Sequence, residues 1–244
     1  MSVPEVQRTH GLEQLDPEAW AALWPAGRSV GLGRGEAVLS QGGSSDALYL
    51  LEEGYVSVTV STADGAEVFL AFDGPGSVLG GVGFLDHRPR SGTVRATTPV
   101  RVRVLSRPVA ERVTAARPTV MLALTLLVAA RTRALVDRRV RYSQGSLSTR
   151  IGRVLVDHAR DFGSPSGDGR GVVLDAPLSQ PWIADLVGAR PRIVGLELAR
   201  LQAGGLIDTG YRARPRRLRV FDVAALEEFV ETDADVARMP HRAG

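Results

Sequence analysis

The sequence predicts an α+β fold in three consecutive parts: a strand-rich N-terminal part, one long helix, and a C-terminal part in which short helices precede a β-hairpin. Three observations support this prediction. Short β-prone runs that end in Gly, Asp or Pro fill residues 29–105. No Gly or Pro interrupts residues 119–144. Helix-period apolar residues then return, and an Arg-rich turn separates the last two strand-like runs.

Composition limits the class of protein. The 244 residues are 44% hydrophobic and 23% charged, as in a globular protein that buries a substantial core. No N-terminal run has the character of a signal peptide, and the apolar run at residues 120–130 is too short to cross a bilayer. We therefore expect a cytoplasmic protein with no membrane attachment. The absence of cysteine excludes disulfides, thiolate-held iron–sulfur clusters and CxxC redox chemistry.

The strand-rich part follows a short helix. In "DPEAWAALWP", Asp16 can cap that helix and Pro17 suits its first position. Runs such as "YVSVTVS" and "VRVRVLS" then alternate apolar and polar residues, and Ala63–Gly65 forms a hairpin turn because Asp-Gly tolerates positive φ. Many short strands at close spacing predict a barrel, sandwich or roll.

The long helix is expected from Pro118 to about Tyr142, with a hinge at Ser143–Ser146. Two interpretations stay open. The helix packs on its own domain, or it pairs with its twin across a dimer axis, since some residues approximate a coiled-coil seam. The residues at that spacing are Met121, Leu124, Val128, Leu135 and Tyr142, with Arg131 and Arg138 sharing it.

The segment "LSQPWIADLVGARPRIVGLELARL" has helix-turn-helix spacing. Ser179 can cap the first helix, Gly188 permits the turn, and the second helix begins near Pro191. The second helix of such a motif enters the major groove, where arginine at its start reaches base edges or phosphates. The candidate DNA contacts are Ser179, Gln180, Arg190 and Arg192, together with Arg212, Arg214, Arg216 and Arg217 in the turn that would form a wing.

Basic residues are clustered although the net charge is only +3. All of them are arginine, and they concentrate at residues 131–153 and 212–219. Such patches indicate a polyanionic partner such as double-stranded DNA. The alternative is a solvated helical hairpin that binds no nucleic acid. The basic wing beside the helix-turn-helix favours DNA binding.

The order of the three parts resembles the family of the cyclic-AMP receptor protein and the fumarate–nitrate reduction regulator. The resemblance lies in three segments: residues 35–58, residues 76–96 and the helix-turn-helix. The family's glycines are matched by Gly35, Gly42, Gly54, Gly76 and Gly80. The resemblance implies a cyclic-nucleotide-binding-like β-roll (1–117), a dimerisation helix and hinge (118–145), a winged-helix DNA-binding domain (146–232) and a tail (233–244). It also implies a homodimer on a two-fold DNA site, with RNA polymerase as a further partner.

The resemblance implies an altered effector pocket. Cyclic-nucleotide binders of the family hold the ribose with a glutamate and the phosphate with a Pro-Arg-Ser/Ala segment. This chain keeps Pro89, Arg90 and Ser91 but has Gly81 at the glutamate's position. The family's adenine contacts fall near Leu135 and Val136, whose side chains cannot hydrogen-bond, so poor cyclic AMP binding is expected. The candidate pocket residues are Gly80, Gly81, Val82, Arg90, Ser91, Arg131 and Leu135.

Three interpretations of the pocket stay open: a different nucleotide-type effector such as a cyclic dinucleotide, no ligand with Arg90 bonded to backbone carbonyls of the roll or to an acidic neighbour, or weak cyclic AMP binding. Haem would need an axial ligand, and His87 is the only histidine in the roll; a lone loop histidine is usually an exposed polar residue. The histidines have no metal-binding spacing, and a nucleotide-type effector is the one cofactor-like ligand that stays open. No catalytic motif supports an enzyme. The remaining rival is an effector-binding dimer that has lost DNA binding.

Overall fold

The structure, a computed structural model, describes residues 11–211 and 217–238. Their contacts divide the chain into two compact units, and the boundary between them along the chain falls between Leu135 and Val136. We call them the roll unit, up to Leu135, and the winged-helix unit, from Val136 onward. The boundary falls inside the long helix α5 (Pro118–Arg141), whose bounds agree with the sequence prediction.

Two short helices open the roll unit, α1 (Leu12–Leu15) and α2 (Pro17–Leu23). The Asp16 carboxylate accepts a hydrogen bond from the backbone N–H of Ala19 at 2.9 Å, which confirms the predicted cap. A single 3-10 turn at Trp24–Ala26 then leads into the first strand.

The roll itself is built from short strands in two antiparallel four-stranded sheets. In chain order the strands are β1 (Arg28–Leu32), β2 (Ala37–Leu39), β3 (Ala47–Glu53), β4 (Val56–Ser61), β5 (Glu67–Asp73), β6 (Val78–Leu79), β7 (Thr93–Ala96) and β8 (Val100–Ser106). One sheet has the order β1-β8-β3-β6 and the other β2-β7-β4-β5. Buried Leu51, Val56, Leu79 and Val102 belong to one apolar cluster within the roll. The predicted roll is confirmed.

Two helices connect or follow these strands. Helix α3 (Gly81–Asp86) lies between β6 and β7, and α4 (Arg107–Ala116) follows β8 directly. The sequence pattern indicated neither helix. Helix α4 packs through buried Ala110 against the same core as Leu48 and Leu105.

Helix α5 contributes one face to the roll core. Val120, Ala123, Leu124 and Leu127 are each at most 2% exposed and cluster with residues of the roll. Within the described ranges, α5 is the one helix that is long and apolar enough to cross a membrane by length and composition. A buried face and a C-terminal half rich in arginine are typical of the core helix of a globular domain. Of the two interpretations of the long helix, packing on its own domain is therefore correct for this face.

The winged-helix unit follows the end of α5. Its elements are α6 (Leu147–Phe162), β9 (Gly163–Pro165), β10 (Val172–Leu174), α7 (Gln180–Val187), α8 (Pro191–Ala203), β11 (Ile207–Tyr211), β12 (Arg217–Val220) and α9 (Val223–Arg238). The strands form a sheet in the order β11-β12-β10-β9. Ile151, Leu155, Val194 and Leu198 are buried in one core, as the helical periodicity predicted.

Helix α9 differs from the sequence prediction. Residues 233–238 belong to this helix rather than to a loose tail, while residues 239–244 lie outside the described part of the chain. The acidic, polar segment from 231 to 238 gives little sign of a helix. The earlier residues of α9 hold the helix in place. Leu226 and Val230 are buried, and Val230 packs so closely on α6 that a Cβ on Gly152 would overlap it.

Candidate nucleic-acid interface and effector cassette

The turn between α7 and α8 is fixed by local geometry. The Ser179 hydroxyl accepts a hydrogen bond from the backbone N–H of Trp182 at 3.4 Å, so Ser179 caps α7 as predicted. Gly188 ends α7 in the left-handed region at φ +64°. Arg150 Nη1 donates to the carbonyl oxygen of Val187 at 2.7 Å and satisfies the end of that helix.

Helix α8 presents cations at its start. Arg190 is its extended N-cap residue, Pro191 is its first residue, and both Arg190 and Arg192 are exposed. Val194 and Leu198 on the opposite face are buried in the core. The structure therefore has these two arginines at the start of the second helix, as the sequence predicted.

The one acidic residue of α8 is turned inward. Glu197 is 8% exposed. Its carboxylate accepts hydrogen bonds from Ser148 Oγ at 2.6 Å and from Arg200 Nη1 at 2.7 Å. The negative charge is thus paired and removed from the outer surface of the helix, which leaves that surface cationic.

Gln180 lies beside α8 at the first position of α7. A Cβ on Gly195 would come within 3.1 Å of Gln180 Oε1, so this glycine allows the close approach of the amide. Gln180, Gln202 and Thr209 help to line an open cavity of about 300 Å³. Gln202 Oε1 accepts hydrogen bonds from the backbone N–H and the hydroxyl of Thr209 at 3.0 and 2.6 Å. One side of the cavity wall is therefore polar, and its polar groups on Gln202 and Thr209 are bonded to each other.

The predicted wing is described only at its base. Arg212, Arg214 and Arg216 lie outside the described residues. Arg217 begins β12, and its Nη1 is 2.7 Å from Asp175 Oδ1, one residue beyond the neighbouring strand β10. Antiparallel pairing brings this cation and this carboxylate together, so Arg217 has a partner inside the unit.

Most arginines of the basic cluster at residues 131–153 bind carboxylates or carbonyl oxygens inside the winged-helix unit. Ion pairs join Arg138 to Asp161 and Arg141 to Asp157, each with an N–O distance of 2.5 Å. Arg153 Nη1 donates to two carbonyl oxygens at and just beyond the C-terminal end of α5, each at 2.8 Å. This cluster is therefore weaker support for a polyanionic partner than its charge alone indicated.

Arg90 lies near the end of the segment that joins β6 to β7, which we call the cassette (residues 80–91). Its side chain is 5% exposed. Nε donates to the carbonyl oxygen of Ser44 at 3.0 Å, Nη1 to that of Gly80 at 2.8 Å and Nη2 to that of Ala47 at 2.5 Å. Burial lowers the pKa of Arg90, and the nearby Arg107 charge acts in the same direction. The guanidinium is thus surrounded by main-chain acceptors.

The paired glycines of the cassette have separate structural roles. Gly80 has φ +81°, and a Cβ on it would overlap Arg90 Nη1. A Cβ on Gly81 would lie 3.4 Å from Val128 Cγ2 of α5, at ordinary contact distance. Gly80 therefore makes room for the buried arginine, whereas the position of Gly81 can accept a side chain.

A second arginine, which sequence analysis did not single out, supports the same loop. Arg107 donates to the carbonyl oxygens of Ser45, Gly83 and Phe84 at 2.8, 3.1 and 3.1 Å. Its Nη1 is also 3.3 Å from Nδ1 of the exposed His87. Nothing in the sequence around Arg107 signals this role, because all three acceptors are backbone atoms.

Arg131 joins α5 to the strands that lead into the cassette. Its Nη1 donates to the carbonyl oxygen of Val78 at 2.8 Å, and its Nη2 is 2.9 Å from Asp73 Oδ1. Both of its described bonds therefore go to the roll. The remaining predicted pocket residues are exposed: Val82, Ser91 and Leu135.

Both units match known sequence families. Residues 30–117 match the family described as cyclic nucleotide-binding domain, and residues 149–229 match the Crp-like helix-turn-helix domain. A CRP-like cAMP-activated global transcriptional regulator of Mycobacterium tuberculosis is 30% identical over 193 residues, which are 79% of this chain and 85% of that protein. This chain belongs to the Crp/Fnr family of transcription regulators.

Solved structures of the Crp/Fnr family confirm the fold. FixK2 from Bradyrhizobium japonicum has a TM-score of 0.69 at 19% identity and covers 83% of this chain and 96% of its own. The c-di-GMP responsive global regulator CLP from Xanthomonas campestris has a TM-score of 0.68 at 21% identity, with coverage of 85% and 100%. The order of β-roll, long helix and helix-turn-helix is thus the one expected of the family.

The seam predicted along the Crp/Fnr long helix needs a correction. Leu124 is 1% exposed in the roll core, and Tyr142 is 5% exposed in the core of the winged-helix unit. Residues buried in their own units cannot form a seam with another chain. The large apolar residues that α5 exposes most are Leu122, Leu126, Val136 and Val140.

Helix α8 also exposes apolar residues that sequence analysis did not single out for DNA contact. Ile193 is 42% exposed and Leu196 is 55% exposed. Their exposure could have been predicted from the helical periodicity, because neither residue shares the helical face of Val194, Leu198 and Leu201.

Proposed function

We propose that this Crp/Fnr chain is a cytoplasmic transcription regulator that binds a two-fold DNA site as a homodimer and acts there on RNA polymerase. One observation carries the proposal: Arg190, the N-cap residue, and Arg192, on the first turn, are exposed at the start of α8, whose opposite face is buried. The first turn of a recognition helix is where side chains reach base edges. The chain has no part in catalysis under this proposal.

The DNA contacts are divided between α8 and its surroundings. Arg190 and Arg192 suit bidentate bonds to guanine or charge-assisted bonds to phosphate. Ser179 and Gln180, at the start of α7, suit phosphate contacts. In the wing, Arg212, Arg214 and Arg216 are proposed for the DNA backbone, and Arg217 contributes less because Asp175 holds it.

The proposed dimer interface is the exposed face of α5. Leu122, Leu126, Ala129, Arg133, Val136 and Val140 succeed one another in alternating steps of four and three residues. Such a heptad spacing supports pairing of two copies of the helix in a coiled coil. The four large apolar residues of this set are each more than two-fifths exposed in the single chain. A two-fold dimer also suits a palindromic DNA site.

We further propose that the cassette does not take cyclic AMP, although the M. tuberculosis relative is described as cAMP-activated. The donors of Arg90 engage three backbone carbonyls, Gly81 offers no carboxylate to a ribose, and Leu135 and Val136 are apolar. Three of the five N–H donors of Arg90 are bonded to carbonyl oxygens, so at most two of them remain for a phosphate unless one of these bonds is displaced. The three carbonyl bonds favour a regulator that works without an effector over one that binds another nucleotide.

DNA binding is tested by fluorescence anisotropy on promoter fragments from the protein's own genomic neighbourhood, at rising salt. We expect affinity to fall steeply with salt. The double variant Arg190→Ala, Arg192→Ala removes four contacts from the homodimer and should weaken binding about 1,000-fold or more, since each contact contributes about 1–3 kcal/mol. Arg112→Ala with Arg117→Ala removes the same charge from two exposed positions, one in α4 and one directly after it, and should leave affinity within about twofold. No binding at low salt, or equal effects of the two double variants, would contradict the proposal.

The effector proposal is tested by calorimetric titration with cyclic AMP, cyclic GMP and cyclic dinucleotides. The dinucleotides are included because CLP is described as c-di-GMP responsive. We expect no heat of binding for cyclic AMP at micromolar concentrations. Micromolar cyclic AMP affinity that Arg90→Ala removes would contradict the proposal. Tight binding of a dinucleotide would replace the effector-independent form by the nucleotide-responsive one.

A further inference from the structure

Two large apolar side chains lie on the outer surface of α8. Ile193 and Leu196 are one helical turn apart, and they are 42% and 55% exposed. Both follow Arg192 within four positions, in the half of the helix proposed to enter the major groove. Single exposed leucines are ordinary on protein surfaces, but a pair on this helix faces the proposed DNA.

The surroundings of this pair are cationic rather than apolar. Arg190 and Arg192 precede it and Arg200 follows it, all exposed, while the carboxylate of Glu197 is buried and paired. A docking surface for another protein would be expected to be more continuous in apolar area. A surface in which cations flank two aliphatic side chains complements a major groove, whose rims are phosphates and whose base edges include an apolar group.

The apolar group of the major groove is the 5-methyl group of thymine. Leucine and isoleucine neither donate nor accept hydrogen bonds, so against the edge of a G·C pair they would leave polar atoms without partners. Against thymine they bury a methyl group. The chemistry of these two positions therefore selects one base type.

We propose that Ile193 and Leu196 contact thymine 5-methyl groups and thereby make thymine a determinant of specificity in each half of the operator. This inference rests on the proposed function, because it needs α8 in the major groove. It goes beyond that function by assigning the base type and the two side chains that read it. Ile193 and Leu196 read thymine, whereas Arg190 and Arg192 make the charged contacts to guanine or phosphate.

The test uses thymine analogues with the unaltered protein. A high-affinity site is first selected from a random DNA pool, and deoxyuridine then replaces each conserved thymine in both half-sites. Deoxyuridine keeps every hydrogen-bonding group and lacks only the methyl. We expect at least one replacement to weaken binding about fourfold per half-site, or more than tenfold for the pair, as burial of one methyl group implies. Replacement at the remaining thymines should change affinity less than twofold.

Variants assign the effect to its side chain. In Leu196→Ser the affinities for the thymine and deoxyuridine sites should become equal at one position, and Ile193→Ser should do the same at another. Leu70→Ser, at a leucine of similar exposure on β5, is the matched control and should keep the full thymine preference. The analogue experiment does not depend on the folding of any variant.

The outcomes separate this inference from the proposed function. If salt-sensitive DNA binding is found but no thymine replacement weakens it, the inference is overturned and the proposed function stands. If Leu196→Ser and Ile193→Ser lose affinity equally for both DNAs, the side chains do not read the methyl, and the inference is again overturned. Absence of any DNA binding overturns the proposed function itself.

Discussion

Arg90 Nη1 donates to the carbonyl oxygen of Gly80 at 2.8 Å, and a Cβ on Gly80 would overlap that same nitrogen. The two residues therefore depend on each other. The arginine fits in its buried position because position 80 has no side chain, and the carbonyl of position 80 is one of three that accept hydrogen bonds from the guanidinium. In this chain the pair is part of the roll's own structure.

The first prediction concerns Gly80→Ala. A non-glycine residue at positive φ costs about 1 kcal/mol, and displacement of Arg90 should bring the total loss of unfolding free energy to about 3 kcal/mol. Gly65→Ala is the matched control, because Gly65 has φ +83° and nothing within 4 Å of an added Cβ. Chemical denaturation followed by circular dichroism measures both. Equal losses would mean that Arg90 moves aside without cost.

The second prediction concerns Arg90→Met, which keeps an unbranched apolar stem and removes the donors. Three carbonyl oxygens lose their bonds to the guanidinium, so the unfolding free energy should fall by about 2–4 kcal/mol. Arg95→Met removes one exposed bond, to the carbonyl oxygen of Gly35, and should cost less than about 0.5 kcal/mol. If Arg90→Met folds as stably as the unaltered chain, Arg90 is not a structural residue of the roll.

The third prediction concerns the long helix. Leu126→Arg with Val136→Arg places charges on the exposed face proposed for the dimer and should convert the protein to a monomer at micromolar concentration. Sedimentation velocity distinguishes the two states. Leu70→Arg, which changes an exposed leucine of the roll, should leave the dimer intact. A dimer that survives the double substitution would show that this face is not the interface.

The fourth prediction concerns the buried His158 of α6. Its Nε2 lies 2.8 Å from the carbonyl oxygen of Ala176, and burial lowers its pKa from 6.5 to about 4. Because the unfolded chain binds a proton more readily, the unfolding free energy should be constant above pH 6.5 and fall as the pH decreases toward 4. The loss reaches about 3 kcal/mol when integrated over that range.

The pH dependence is measured by denaturation at intervals between pH 7 and pH 4.5. His158→Gln keeps a donor for the carbonyl of Ala176 and should flatten the decline. His87→Gln, at an exposed histidine, should leave the decline unchanged. The same slope in all three proteins would assign the pH dependence to carboxylates instead.

The sequence predicted the helix-turn-helix well because its determinants are local. A serine cap, a left-handed glycine and a helical period of apolar residues act within a few positions of one another, as at Ser179, Gly188 and Val194. Arg90 was recognised from its motif, and backbone carbonyls were one of the partners expected for it, but which carbonyls it bonds was not predictable. They are main-chain oxygens at positions 44, 47 and 80, which only the folded roll brings together.

The register of the long helix shows a different limit. Apolar residues occur on two faces of α5, and the sequence does not say which face the roll will bury. Leu124 was assigned to a seam and is buried in the core, while Leu122, two positions away, is 58% exposed. Tertiary packing decides between faces that are equally apolar. In the same way, Arg217 was assigned to DNA although strand pairing places it against Asp175.

The acceptors of Arg90 are backbone atoms, and this has a consequence for how the cassette tolerates mutation. A change of side chain at Ser44 or Ala47 leaves the carbonyl oxygen that binds the arginine in place. The sequence around the cassette is therefore free to diverge while the arginine is retained, except at Gly80, where any side chain collides with it. An arginine at this position is therefore explained by the stability of the fold and does not by itself indicate a bound ligand.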